Sequence, residues 1–324
     1  MNQTEASGDK GVPQPALSVV VPTYNRAALL DRCLAHLSEQ TIGFDRFEVI
    51  VADDASEDDT GEIVSRWSAS PMAVRYVACP KGFAGAARNR GTEIVKADRV
   101  VFLGDDIMAA PDLLQWHLRG DERFGAKSVL VGQVDLQPDP RSPFMQFLLD
   151  EGAHHDFDFL HSQGVDPIPP WYFYACNASA PTLALRQVGG FDESLLRLRE
   201  DSELGYRLVA AGYPMHFLPE ARGRHVHPTN FHTYLAGRRA GRPDSVRFIR
   251  MMKAAGQPVD KPGQRRVADR LLTDGRVDWM ARWADRAGSL LPAPTRRRLY
   301  RGLLRYEERR ALLASILNPR PSGE

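Results

Sequence analysis

The stretch VVFLGDDIMAAPDLL, residues 100–114, runs from an apolar strand through two adjacent carboxylates towards a helix. Residues 100–103 form the apolar run that is typical of a strand buried on both faces, and Gly104 ends it. Asp105 and Asp106 then follow where the strand leaves the sheet. Two adjacent carboxylates repel one another unless a cation lies between them, so this stretch predicts a cation site at a strand end.

The same alternation of strand and helix extends outward from this stretch. Strands are predicted at 17–21, 47–53, 74–78, 99–106 and 128–134, with amphipathic helices between them. Such an α/β pattern indicates a mainly parallel central sheet with helices on both faces, and ligands bind such sheets at the carboxyl ends of the strands. Further along, TLAL (182–185) and PMHFLP (214–219) resemble strands, and DSELGYRLVAAG (201–212) resembles a helix.

Charge divides the chain of 324 residues. The formal net charge is +1, which does not favour a nucleic-acid partner, but residues 231–324 carry +12. We therefore predict a disordered N-terminus (1–15), an α/β domain (16–230) and a basic helical region (231–324). The α/β domain divides into a nucleotide-binding half (16–135) and an acceptor half (136–230).

Cys33, Cys79 and Cys176 are widely spaced and lack a CxxC pattern, which indicates reduced thiols. The polar N-terminus does not resemble a signal peptide, and no apolar run approaches the ~20 residues that span a bilayer. These features predict a cytoplasmic protein that is peripheral to a membrane at most.

The loop PTYNR, residues 22–26, could hold a phosphate or a base at the start of the first helix, or could simply cap that helix. It lacks the G-x-G-x-x-G of a dinucleotide site. Asp53 and Asp54 end the second strand and lie too early to cap the next helix, so they favour a base or ribose contact. In GFAGAARNRG, Gly85 permits close approach of a ligand, and Arg88 is suited to phosphate oxygens.

Two acid pairs are the strongest candidates for chemistry. Asp105 and Asp106 could hold Mg²⁺ or Mn²⁺ together with a diphosphate, although a simple turn cap is the alternative. Glu200 and Asp201 precede an amphipathic helix, where they could cap it or supply a general base.

An acceptor could bind the aromatic segment WYFY, residues 171–174, because aromatic faces suit sugar rings and apolar molecules. Trp171, Tyr174 and the following Asn177 are the predicted contacts. The alternative is that the aromatic residues pack under a second small sheet.

Taken in order, six motifs resemble the family-2 glycosyltransferases with the GT-A fold: SVVVPTYNR, FEVIVADDASEDDT, GFAGAARNRG, VVFLGDDI, GGFDESL and REDSELGYRL. The resemblance covers about the first 230 residues. It implies an inverting transfer of a sugar from a nucleotide diphosphate sugar, most often a UDP-sugar, to an acceptor hydroxyl. Polysaccharide, glycolipid, peptide and natural-product acceptors all remain open.

The resemblance also implies residue roles. The nucleotide would contact the following residues: Pro22, Thr23, Tyr24, Asn25, Arg26, Asp53, Asp54, Gly85, Arg88 and Asp105. Asp106 and Asp105 would hold Mn²⁺ or Mg²⁺, and Asp201, beside Glu200, would be the catalytic base.

The metal motif departs from the family pattern, because Gly104 stands where a further aspartate is common. In some relatives a histidine near the end of the domain completes the metal site. His225 or His227 could do so here, and His227 is the predicted metal ligand. The departure leaves an alternative function, a non-catalytic nucleotide-sugar-binding scaffold. The basic C-terminal helices could dock on the acidic domain, form a homodimer or contact an anionic membrane.

Overall fold

The computed structural model describes residues 14–137, 139, 142–150, 157–226, 229–257, 274–287 and 290–317. The predicted disorder at 1–13 and the predicted ligand His227 therefore lie outside the described residues. No helix in the described part of the chain is long and apolar enough to cross a bilayer.

Eight strands form one mixed sheet in the order β3-β2-β1-β4-β7-β6-β8-β5. Their bounds are β1 Leu17–Thr23, β2 Phe47–Asp53, β3 Val74–Ala78, β4 Arg99–Leu103, β5 Ile107–Ala109, β6 Val129–Leu136, β7 Asn177–Pro181 and β8 Met215–His225. The first four strands in chain order pair in parallel, as the sequence predicts. Because β7 enters antiparallel between β4 and β6, the other half of the sheet is mixed.

Twelve helices accompany the sheet in the described residues. They are α1 Ala27–Ser38, α2 Thr60–Ser68, α3 Phe83–Glu93, α4 Leu113–Phe124, α5 Pro143–Asp150, α6 Phe157–Gln163, α7 Thr182–Val188, α8 Glu200–Ala210, α9 Phe231–Ala240, α10 Arg242–Ala254, α11 Asp274–Ala287 and α12 Ala293–Leu317. The α/β class and the C-terminal helices are confirmed.

The expectation of a strand at TLAL is wrong, because these residues begin α7 and the preceding NASAP forms β7. A four-residue apolar run is too short to separate the two periodicities, and pairing of residues 177–181 with β4 decides the assignment. The small side chains of NASAP suit an interior strand with neighbours on both sides.

Two large apolar cores and two small apolar clusters are present among the described residues. The larger one surrounds the sheet and its flanking helices. The second joins Phe144 of α5 to Phe231, Val277 and Tyr300 of the C-terminal helices. Hence α5, which belongs to the predicted acceptor half, packs with the predicted C-terminal region.

Candidate active site

The carboxyl ends of β1, β2 and β4 meet at one edge of the sheet, because these strands run parallel. Thr23 ends β1 and its hydroxyl donates to Asp105 Oδ2 at 2.9 Å. Pro22 lies inside β1, buried opposite Ala52 of β2, so it shapes the edge without presenting its ring to solvent. The predicted donor loop and the first acid pair are therefore in contact.

Asp105 and Asp106 are buried and bridged by Arg26. Arg26 Nη1 lies 3.0 Å from Asp105 Oδ1 and 2.9 Å from Asp106 Oδ2. Burial raises the pKa of Asp105, and Asp106 adds to the rise, whereas Arg26 and Thr23 oppose it. The cation between the two carboxylates in this structure is thus a guanidinium.

His225 reaches the same acid pair through strand pairing. β5 follows Asp106 directly and runs antiparallel to β8, with Ile107 opposite His225. This register places His225 Nε2 3.2 Å from Asp106 Oδ2. Of the two histidines singled out in the sequence, His225 therefore lies at the acid pair.

The second acid pair begins α8. Arg199, which precedes it, has φ 76°, a left-handed conformation that non-glycine residues rarely adopt. Glu200 Oε1 accepts a hydrogen bond from Arg88 Nη1 at 3.3 Å, and the Arg88 guanidinium lies over the Phe191 ring. A Cβ at Gly85 would lie 3.6 Å from Glu200 Cγ, so this glycine packs closely against the pair.

Both carboxyls of this pair are biased towards the protonated form. Burial raises the pKa of Glu200 to about 7, and Asp201 adds to the rise while Arg88 opposes it. Burial also raises the pKa of Asp201. The Ser202 N–H, which donates to Asp201 Oδ1 at 2.7 Å, opposes this rise. Carboxyls whose proton affinity is raised in this way can exchange a proton near neutral pH.

Cys176 lies near one acid of each pair. Burial, together with the negative charges of Asp106 and Asp201, raises the pKa of its thiol to about 12. Since one thiol feels both carboxylates, the fold brings together acids that are about a hundred residues apart in sequence. Sequence reasoning had treated Cys176 only as a reduced thiol.

The donor edge beyond β2 is occupied by internal contacts. Asp53 Oδ1 accepts the Ser56 N–H at 2.9 Å, and its Oδ2 accepts the Tyr76 hydroxyl at 2.6 Å. Asp54 Oδ1 accepts the backbone N–H of Gly82 at 2.6 Å. Asp54 therefore fixes the start of α3, a structural role that the sequence analysis had not assigned to it.

Tyr24 and Lys81 form the exposed part of this edge. Tyr24 is 42% exposed, and Lys81 Nζ lies 2.7 Å from its ring centroid while pairing with Asp54 Oδ2 at 2.8 Å. Asn25 has φ 49°, and its side chain accepts the Glu57 N–H at 2.7 Å. Lys81 was missed in the sequence, although it directly precedes the glycine of the GFAG motif.

The predicted acceptor residues differ in burial. Trp171 is half-buried against Tyr206, and Tyr174 is half-buried with Phe157 at its edge. Asn177 is fully buried, and its amide donates to the carbonyls of Gln133 and Ala221. The expectation that Asn177 contacts an acceptor is therefore corrected, because its side chain has no exposed surface and binds β6 and β8.

A divalent cation could be held by Asp105, Asp106 and His225. Two carboxylates and an imidazole suit Mn²⁺ or Mg²⁺, and the edge of the sheet is open where Arg26 is 37% exposed. In this structure Arg26 lies between the two acids, and within the described ranges no cluster of three or more His, Cys, Asp or Glu side chains is already arranged as a metal site. A Cβ at Gly104 would lie 2.9 Å from Asp106 Oδ1, so the glycine leaves room for that carboxylate.

Residues 18–150 match the family described as Glycosyl transferase family 2. Among curated proteins, validoxylamine A glucosyltransferase of Streptomyces hygroscopicus subsp. jinggangensis is 34% identical over 238 residues, covering 64% of this chain and 55% of the relative. Chondroitin synthase of Pasteurella multocida is 29% identical over 65% of this chain and 25% of its own length. The chain spans about half the length of the first of these relatives, and less of the second.

Solved structures share the fold. A mannosyltransferase, PcManGT from Pyrobaculum calidifontis in complex with GDP-Man and Mn²⁺, superposes with a TM-score of 0.61 at 20% identity, covering 95% of this chain and 88% of that one. TarS 1–349 of S. aureus with UDP-GlcNAc gives 0.53 at 15% identity, with 92% and 90% covered. The family match over residues 18–150, the curated relatives and this shared fold together support a family-2 glycosyltransferase with the GT-A architecture.

Proposed function

We propose that this protein is an inverting glycosyltransferase that moves a sugar from a nucleotide diphosphate sugar to an acceptor hydroxyl. Solved structures with this fold carry GDP-Man or UDP-GlcNAc, which supports a nucleotide-sugar donor. Two curated relatives are named for the transfer of glucose to validoxylamine A. A nucleotide-activated glucose is therefore the first donor to test.

The observation that carries the proposal is that Asp106 and Asp201, one acid from each pair, both lie close enough to Cys176 to raise the pKa of its thiol. One pair, Asp105 and Asp106, lies with Arg26 at the donor edge, and the other, Glu200 and Asp201, begins α8. An inverting transfer needs a group that binds the leaving diphosphate and, across the sugar, a base that takes the acceptor's proton. The two pairs offer these two functions within one site.

At the donor edge, Asp105, Asp106 and His225 would hold Mn²⁺ or Mg²⁺. When bound, such a cation supplies Lewis-acid stabilisation of the negative charge that develops on the departing nucleoside diphosphate. Tyr24 offers an exposed ring on which a base could stack, whereas both carboxylate oxygens of the buried Asp53 already accept internal hydrogen bonds. Arg88 lies beside the second acid pair, where it can attract an anionic group.

Asp201 is the proposed general base. It is half-buried in a site whose charge is balanced by Arg88 and Arg199, and its raised pKa makes it a better proton acceptor than an exposed aspartate. Glu200 lies next to it and is held by Arg88. Positioned bases of this kind contribute roughly 10²–10⁴-fold to a rate.

Release of nucleoside diphosphate from a panel of UDP-, GDP- and dTDP-sugars, with Mn²⁺ and candidate acceptors, tests the proposal. Asp201→Asn is expected to lower transfer roughly 10²-fold or more while donor binding, measured by calorimetry, is retained. Asp59→Asn is the matched control, since Asp59 is exposed and lies outside the site. Transfer by Asp201→Asn at the wild-type rate would exclude Asp201 as the base.

The same panel separates an enzyme from a nucleotide-sugar-binding scaffold. Donor binding without release of nucleoside diphosphate, across the whole panel and with both cations, would favour the scaffold. Turnover of any donor would contradict it. The retention of Asp106, Glu200 and Asp201 in one site supports the enzyme.

For the C-terminal helices, docking on the remainder of the chain is the proposal that the contacts support. Tyr300, Leu303 and Tyr306 of α12 are buried in the second core against α5 and α9. The part of this helix's apolar face that lies between Leu299 and Tyr306 is therefore covered within the chain.

A further inference from the structure

A single guanidinium nitrogen of Arg26, Nη1, contacts both Asp105 and Asp106. Nη1 lies about equally far from one oxygen of each carboxylate, at 3.0 and 2.9 Å. The two carboxylates are almost entirely buried, whereas the Arg26 side chain keeps an exposed outer part. The guanidinium therefore neutralises a buried pair that would otherwise repel strongly.

The oxygens that face Arg26 are also those that a divalent cation would need. Asp106 Oδ2 accepts from Arg26 and lies 3.2 Å from His225 Nε2, so this oxygen is where the three side chains converge. Hard cations bind carboxylate oxygens at 2.0–2.6 Å, and a guanidinium 3 Å from the same oxygens would lie against the ion. Like charges at that separation exclude one another in a partly buried site.

We propose that Arg26 is the internal counter-cation of the donor-free protein, and that a divalent cation binds Asp105 and Asp106 only by displacing it. The inference rests on the proposed function, which places a divalent cation at these acids. Thr23 stays bonded to Asp105, so one carboxylate keeps its orientation when the guanidinium leaves. The exposed side of Arg26 gives the displaced group a path towards solvent or towards an anionic donor.

Mn²⁺ binding in the absence of donor tests this competition. Free Mn²⁺ is measured by electron paramagnetic resonance during titration of the wild-type chain, Arg26→Ala and Arg66→Ala at pH 8. Arg66→Ala is the matched control because it removes the same charge, and Arg66 lies in an exposed ion pair with Asp31 at 3.5 Å. We expect Arg26→Ala to bind Mn²⁺ about tenfold more tightly than wild type, since no charge-assisted hydrogen bonds must be broken first. Arg66→Ala should stay within about twofold of wild type.

Arg26→Lys provides a second variant that keeps the charge if the alanine variant fails to fold. An ammonium is a point charge that cannot form the planar fork of arginine, so an affinity between wild type and Arg26→Ala is expected. An unchanged or weaker affinity in both variants overturns the inference and leaves the proposed function in place. Absence of Mn²⁺ binding by every protein overturns the inference together with the metal part of the proposed function.

Discussion

At the scale of single residues, the carboxylates of Glu200 and Asp201 differ in their hydrogen-bond partners. Glu200 faces the guanidinium of Arg88, whereas Asp201 accepts the N–H of the next residue, Ser202. Glu203, the third acid in the first turn of α8, pairs instead with Arg207 on the same helix. The three acids all lie at the positive end of the helix, but only two belong to the site.

The protonation of this pair predicts a pH dependence of activity. Because the pKa of Glu200 is raised to about 7, the pair carries an extra proton below that pH and loses it above. We expect kcat/KM to rise with pH and to show an inflection near 7, since the base acts only when deprotonated. A rate profile between pH 5.5 and 9 measures this.

Glu200→Gln is the control for that profile. This variant removes the carboxyl whose pKa is raised, so the inflection near pH 7 should disappear or move to lower pH. An inflection that stays near 7 in this variant would show that another group controls the rate.

At the scale of elements, the end of β2 determines where α3 begins. Asp54 accepts the N–H groups of Gly82 and Phe83, at 2.6 and 3.1 Å, and pairs with Lys81. Phe83, the first residue of α3, has φ 66°, so the chain enters this helix through a conformation that needs support. The carboxylate of Asp54, at the end of β2, provides this support.

Asp54→Ala should lower the free energy of unfolding by about 2–3 kcal/mol, because it leaves two helix-start N–H groups without their acceptor. Urea denaturation followed by circular dichroism measures the change. Asp54→Asn keeps one acceptor oxygen and should cost less than the alanine variant. Asp59→Ala, at an exposed position before α2, should change stability by less than ~0.5 kcal/mol. Equal effects for Asp54→Ala and Asp59→Ala would contradict this role.

At the scale of the whole molecule, buried ion pairs join the C-terminal helices. Glu307 of α12 is buried, and its carboxylate binds Arg239 of α9 at 2.6 Å and also Arg242 of α10. Asp278 of α11 pairs with Arg239 at 2.5 Å, and Asp274 completes the network with Arg242. These ion pairs join the helices that also build the second apolar core, and they neutralise Arg239 and Arg242 of this basic region within the fold.

Glu307→Ala should destabilise the C-terminal helices by about 3–5 kcal/mol, because two arginines lose their shared buried partner. Hydrogen exchange should show faster opening of α9, α10 and α12, with β1 and β2 little affected. The neighbouring Glu308→Ala is the matched control, since Glu308 forms a partly exposed pair with Arg238 at 3.6 Å and its loss should cost less than ~1 kcal/mol. Protection that is lost equally in both variants would contradict this account.

The sequence by itself determined the parallel half of the sheet and the acids at its edge. Strand and helix periodicity are local properties, so residues 17–103 indicated their own elements, and the end of β4 indicated Asp105 and Asp106, whereas the short strand β5 was not predicted. The tertiary structure alone decided that NASAP is a strand and that Asn177 is buried. It also decided that His225 reaches Asp106 and that Arg26 lies between the acids. These outcomes depend on pairing between segments that are far apart in the chain, and such pairing leaves no periodic signal in either segment.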